Sequence, residues 1–227
     1  MVGVLYVETL IRADLEQVWR LTQDPAQHQR WDLRFTRIEY LPDTVPQRFR
    51  YAVTAFPGLT VSGTGVTAGQ RVTADGSRTS ALRFASADPL SPIQDGAGYW
   101  RYVPTEDGVR FLTGYHYRPR WCGADTVFRP LMGWATAWSF DRLRLWLEDG
   151  IEPETSLRWA VLDVGVRAAA CVGLWRLAGL PLALVTAVGL ALAPPSPVTP
   201  AARRCRRRPP DRLSRTAPAQ LSTLELS

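Results

Sequence analysis

The sequence predicts an α+β fold: an antiparallel sheet of about six or seven strands with one face covered by the long helix that follows it, and an apolar helical tail appended. Three observations carry this. Short runs with period-two alternation, punctuated by Pro, Gly and Asp, fill residues 35–118, the pattern of an antiparallel meander. A strand and an amphipathic helix precede them in LYVETLIRADLEQVWRLTQDPAQHQRWD, residues 5–32. The longest helical pattern in the chain, DTVFRPLMGWATAWSFDRLRLWL from Asp125 to Leu147, comes after them.

In the opening stretch Leu5, Val7, Thr9 and Ile11 alternate until Ala13-Asp14 breaks the strand. Asp14 is placed to cap a helix whose one side carries Leu15, Val18, Trp19 and Thr22, and Gln23-Asp24-Pro25 stops it. A second short turn delivers Trp31-Asp32. Strands are then expected at Phe35 to Leu41, Gln47 to Phe56, Leu59 to Ala74, Arg78 to Ala87, Tyr99 to Val103 and Val109 to Arg118. Pro42-Asp43, Pro57-Gly58, Asp75-Gly76 and Thr105 to Gly108 supply the turns, and Asp88 to Gly96 reads as a loop.

A one-residue slip would move every side chain to the other face of a strand, so the alternation defines two faces. With Thr105 to Gly108 as a four-residue turn, Trp100 and Tyr102 share a face with Phe111, Tyr115 and Tyr117. Phe49, Tyr51 and Val53, then Leu82 and Phe84, fall on the corresponding side of their strands. The opposite face carries Arg48, Arg50, Arg83, Arg101, Arg110, His116 and Arg118. One aromatic side and one arginine side call for a sheet with one face covered and one wet. The helix from Asp125 is apolar over most of its circumference, with Val127, Leu131, Trp134, Trp138 and Leu145 on one stripe and Phe128, Phe140, Leu143 and Trp146 beyond it. Such a helix is buried on more than one side, and Pro130 is tolerated in its first turns or bends it.

Composition bounds the rest. The chain has 227 residues and is 46% hydrophobic, enough for one domain over residues 1–150 and an appendage. All 27 basic residues are arginine and asparagine is absent, a codon bias expected of a GC-rich bacterial genome. Five of the charges behind the net +6 lie in one run, Arg203, Arg204, Arg206, Arg207 and Arg208. Cys122, Cys171 and Cys205 form no close pair, which argues against a disulfide framework and suits a reducing cytoplasm. MVGVLYVETL lacks the basic start and apolar block of a signal peptide. Residues 151–193 read as an apolar helical tail, and 194–227, rich in Pro and Arg, as disordered.

The text VETLIRADLEQVWRLTQDPAQHQRWD, followed by antiparallel strands and a long helix, resembles the START-like helix-grip superfamily, in particular its SRPBCC polyketide cyclase and lipid-transport branch. The resemblance covers residues 2 to about 149. It implies a strongly curved sheet gripping the helix around a deep apolar cavity for lipids, polyketides or sterols. It identifies a fold better than an activity.

Against that background Phe49, Tyr51, Phe84, Trp100, Tyr102, Phe111, Tyr115 and Tyr117, facing Trp134 and Trp138, are either the wall of a ligand pocket or plain core. Buried tyrosines and tryptophans bring polar tips that need partners, as pocket walls do. His28, Trp31 and Asp32 read as structural, with Trp31 plugging the core and Asp32 capping a turn. His116 points to the arginine side, so no catalytic residue is assigned. Two distant histidines give no metal site, Gly63-Thr64-Gly65 has no helix or lysine after it to make a phosphate loop, and no cofactor is expected. The arginine face lacks interleaved aromatics, so nucleic acid is not an expected partner and a solvated surface is.

Residues 168–193 are almost wholly apolar, interrupted by Arg176, and the uncharged part, Leu177 to Ala193, has 17 residues, the lower limit for crossing a bilayer. A transmembrane anchor holding a cytoplasmic domain at the cell membrane is one reading. A helix packed on the domain or on a partner is another. The arginine run and the leaderless domain both favour the cytoplasm, and a hairpin turning at Gly179-Leu180-Pro181 would reconcile them. For function, three classes stay open: a binder of a hydrophobic small molecule, an aromatase, cyclase or dehydratase acting on one, and an interaction module with a filled core.

Overall fold

The computed structural model describes residues 4–121 and 123–223, without the side chains of 56, 68–70, 220 and 223; Cys122 lies outside the described residues. Among these residues, β1 (Leu5–Ile11), β2 (Arg37–Tyr40), β3 (Gln47–Phe56), β4 (Leu59–Val72), β5 (Arg78–Ala85), β6 (Ile93–Thr105) and β7 (Gly108–Pro119) form one antiparallel sheet in the order β1-β7-β6-β5-β4-β3-β2. Between β1 and β2 lie α1 (Leu15–Gln23) and α2 (Pro25–Trp31). Asp14 caps α1 by accepting the Glu16 N–H at 2.8 Å, and Asp24 both ends α1 and caps α2 through the Ala26 N–H at 2.8 Å. The long helix α3 (Asp125–Asp149) ends at Gly150, whose φ of 66° is left-handed.

The strand pairing matches the expected faces. Tyr102 stands opposite Phe111 and Gly98 opposite Tyr115, which puts the rings of both strands on the α3 side and leaves His116 exposed on the other. Most boundaries differ by no more than two residues, but β6 starts at Ile93, inside the expected loop. Asp95, Gly96 and Ala97 pair with β5 and β7 on both sides, so ladder hydrogen bonds on two edges override the weak strand propensity of Gly and Asp.

α3 is covered on two sides, as its composition demands. Phe140 stacks on Phe111 with centroids 4.4 Å apart, and Trp31, Leu143 and Leu145 are fully buried beside them. The second cover is the chain around the 3-10 turn Ala202–Arg204, where the Cys205 thiol donates to the Ala137 carbonyl.

The wet arginine face and the disordered end are both corrected by the same segment. Residues 199–221 cross α3 and then the convex side of the sheet. Arg206 pairs with Glu8 on the free edge of β1 through N–H···O bonds of 2.8 and 2.9 Å. Arg101 reaches the carbonyls of Leu213 and Thr216, the Tyr99 hydroxyl donates to the Ser214 carbonyl, Arg83 reaches the Leu221 carbonyl, and Arg110 joins Glu8 and Asp211. Arg101 is consequently buried, and of the arginines on that face only Arg50 and Arg118 are exposed. Backbone carbonyls acting as acceptors for guanidinium groups order a stretch too polar to collapse by itself.

The transmembrane expectation is also corrected. Gly179, at φ 87°, splits the apolar tail into α4 (Pro153–Ala178) and α5 (Leu180–Leu192), and no helix among the described residues is long and apolar enough to cross a membrane.

Candidate functional site

Between the concave sheet and the N-terminal half of α3 lies a cavity of about 390 Å³. Its space follows from a cross-strand pattern of rings and glycines. Phe49 on β3 pairs with Gly65 on β4, Gly65 with Phe84 on β5, Phe84 with Gly96 on β6, and Gly96 with Tyr117 on β7. Tyr51 opposes Gly63 in the same way. A Cβ at Gly65 would lie 2.2 Å from the Phe49 ring, one at Gly63 2.4 Å from the Tyr51 ring, and one at Gly96 2.4 Å from the Phe84 ring. Each ring therefore lies down over a bare backbone instead of standing into the interior, the close approach that strand glycines permit.

Of the sequence-derived aromatic set, Phe49, Tyr51, Phe84, Trp100, Tyr115 and Trp134 line the cavity. The other four do not. Tyr102 and Phe111 are fully buried where α3 comes closest, against Trp19 and Phe140. Tyr117 bonds to Asp125 and packs edge-on to Phe128. Trp138 is buried behind Trp134, under the Arg142 guanidinium. Leu33, Leu131 and Trp134 line the cavity yet are 42%, 55% and 43% exposed, so they mark its mouth.

Most of the wall is apolar, and two polar groups stand out in it. Gln23 donates to the Tyr102 hydroxyl at 2.8 Å, and Thr22 meets the same hydroxyl at 2.7 Å, with Ser80 nearby. Burial raises the Tyr102 pKa, partly opposed by these bonds, and pushes Tyr51 up to about 12. All of these hydroxyls are neutral at pH 7.

The second group is the cluster His28, Asp32, Arg34 and Tyr115. Asp32, fully buried, accepts from His28 Nε2 at 3.0 Å and from Arg34 at 2.9 and 2.6 Å. Burial alone would raise the Asp32 pKa, but the Arg34 charge and the bonds from His28 and Arg34 outweigh it and hold the carboxyl well below the usual range. Burial dominates at His28 and lowers its pKa against the pull of Asp32. The ring is therefore neutral near pH 7, with Nε2–H donating to Asp32 and the lone pair on Nδ1. It stacks on Trp31 at 5.0 Å and meets Phe35 and Trp100 edge-on. Arg34 lies 5.6 Å over the Tyr115 ring, whose hydroxyl meets Thr136 at 2.9 Å.

Trp31 and Asp32 hold the structural places expected of them: the indole N–H donates to the Leu21 carbonyl at 2.9 Å, and Asp32 ends α2. What the strand alternation missed is that His28 and Arg34 face the same cavity. Arg34 sits in a connection with no periodicity, and only its spacing of two from Asp32 hints at the pair.

Comparison with known proteins places this geometry. The family model described as polyketide cyclase / dehydrase and lipid transport matches residues 4–148. The Bacillus subtilis protein YndG, named an uncharacterized membrane protein, is 45% identical over an alignment of 170 residues that covers 70% of this chain and 63% of that protein; the chain thus spans less than two thirds of that curated relative. The di-domain ARO/CYC StfQ of the steffimycin biosynthetic pathway superposes with a TM-score of 0.51 at 10% identity, over 66% of this chain and 51% of StfQ. A STAR-related lipid transfer protein fragment from Xanthomonas axonopodis gives 0.48 at 22% identity, over 63% and 85%. These structural likenesses concern the fold alone.

Proposed function

Because the chain belongs to the polyketide cyclase / dehydrase and lipid transport family, we propose that its cavity binds one hydrophobic small molecule, lipid-like or polyketide-like. The observation that carries this is the ring-over-glycine floor, which keeps about 390 Å³ open between the sheet and α3. That volume falls within the roughly 300–1,000 Å³ of small-molecule sites. Each ~100 Å² of apolar ligand surface removed from water contributes about 2.5 kcal/mol before the cost of binding. Arg34 and the Tyr115 hydroxyl orient an oxygen of the ligand. The domain works at a membrane face to which residues 153–193 attach it, a reading supported by the exposed apolar side chains of α4 and α5 and by the name of the Bacillus relative.

A second reading, an aromatase, cyclase or dehydratase, is favoured by the neutral His28 held by Asp32 in the cavity wall. There His28 would take a proton while Arg34 holds the oxygen that gains charge. Native mass spectrometry of the whole chain purified from its host tests the first reading. A discrete apolar adduct lost on organic extraction is expected, and repeated preparations of bare protein that also take up no added lipid would refute it. Recovery of added polyketide in a dehydrated or cyclised form, abolished by His28→Gln, would establish the second.

A further inference from the structure

Both ends of the apolar excursion are clamped to one point on α3. Asp141 and Arg142 are consecutive and buried. Arg142 donates twice, at 2.9 and 2.7 Å, to the carbonyl of Pro153, the first residue of α4. Asp141 Oδ2 accepts the Ala201 N–H at 2.7 Å and Arg204 at 2.8 Å, on the chain leaving α5. Arg203 reaches back to the Leu192 and Ala193 carbonyls at the end of α5.

Between these fixed points α4 and α5 pack on each other and bury only Pro153, Ser156 and Ala183. Two of the hairpin's charges pair with each other, Arg167 meeting Asp163 at 2.8 Å and also reaching the Leu190 carbonyl across the hairpin, while Glu154, Arg158 and Arg176 are exposed towards its two ends. Val161, Val166, Leu177, Val185, Val188 and Leu192 are all more than half exposed. α5, with 13 residues, is about 20 Å long at 1.5 Å per residue, short of a hydrocarbon core of about 30 Å. Arg176 is exposed one turn before the bend, its guanidinium over the Trp175 ring. A guanidinium is disfavoured at the bilayer centre, so the bend stays near a headgroup layer.

We propose that α4 and α5 form a one-sided membrane hairpin, which enters a lipid surface obliquely and returns without crossing it. Residues before 153 and after 193 then lie on the same side of the membrane, and the α3 clamp mounts the domain rigidly on it. At the base the exposed Arg203, Arg206, Arg207 and Arg208 meet anionic headgroups, each interaction weakening with salt. This deepens, and rests on, the membrane half of the reading above; ligand binding in the cavity is independent of it.

The test uses the whole chain, tagged at both ends, added to the outside of phosphatidylcholine vesicles with and without phosphatidylglycerol. The expected result is co-sedimentation that phosphatidylglycerol strengthens and salt weakens, with both tags still cut by added protease. A Val185→Asp/Val188→Asp variant, altered at exposed positions only, should bind vesicles more than about tenfold less while keeping the wild-type circular dichroism and the cavity adduct. Protection of the tag after residue 193 would overturn the hairpin and leave membrane attachment standing. Absence of wild-type binding to either vesicle would overturn both, without touching the ligand reading. Unchanged binding by the double variant would also overturn the hairpin.

Discussion

Asp32→Ala removes a carboxylate that is fully buried and takes three side-chain hydrogen bonds, two from Arg34 and one from His28. Arg34, with a side chain only 11% exposed, is left as an uncompensated cation in an apolar wall. Breaking one partner out of such a pair costs about 3–5 kcal/mol. For a chain of this size one kcal/mol moves Tm by about 2–4 °C, so the variant should unfold on the order of 10 °C lower. Replacing both members, Asp32→Leu with Arg34→Met, leaves no stranded charge and should recover most of the loss, since apolar substitution of a whole buried pair is often near neutral. Thermal unfolding of wild type, Asp32→Leu, Arg34→Met and the double completes the cycle. A single-variant loss below about 1 kcal/mol, or a double variant as unstable as the sum of the singles, would show that Asp32 and Arg34 do not act as a buried pair.

The same cluster sets an acid limit. His28 is depressed in the folded state, so the stability it contributes is complete above the unfolded value near 6.5 and falls as the unfolded chain protonates below it. Asp32, also depressed, adds a second fall starting near pH 4; His28→Gln should abolish only the upper limb in a pH series of urea titrations. Gly65→Ala would drive the Phe49 ring off β4 and into the cavity, costing about 1–3 kcal/mol and most of the ligand affinity, as read by calorimetry and probe binding. Tyr102→Phe strands the Gln23 side-chain N–H, Thr22 keeping its bonds to the Val18 and Trp19 carbonyls, and should cost about 1–3 kcal/mol by denaturant unfolding. Burial pushes the Cys205 thiol up to about 12, so native alkylation followed by peptide mapping should label the half-buried Cys171 first and Cys205 only on unfolding. Equal labelling would mean that residues 199–206 are not docked.

The elements themselves were readable because alternation, Pro and Gly punctuation and the Asp14 and Asp24 caps are local signals. Gln47–Phe56 was placed to the residue, and the helix from Asp125 to within two. Which inward rings line space was not readable. Phe111 and Tyr102 alternate in step with Tyr115 and Trp100, and only the approach of Phe140 on α3 decides that the first pair is sealed. Gly63, Gly65 and Gly96 did carry a signal: each falls on the inward face opposite a ring, but seeing it requires the register between strands. The order of residues 199–221 left no trace in composition, because it rests on backbone carbonyls meeting Arg83 and Arg101 from distant strands. Arg34 was hidden for the same reason, its role being set by a cavity that forms only when α3 closes over the sheet.

Titration of the whole chain with a lipophilic fluorescent probe, beside a Leu82→Trp variant whose indole fills the floor of the cavity, bears most directly on the claim that this space holds a guest. One saturable site in the wild type, weakened at least about tenfold in the variant while its unfolding stays cooperative, is the expected result. Wild-type binding that never saturates, or that Leu82→Trp leaves unchanged, would contradict it.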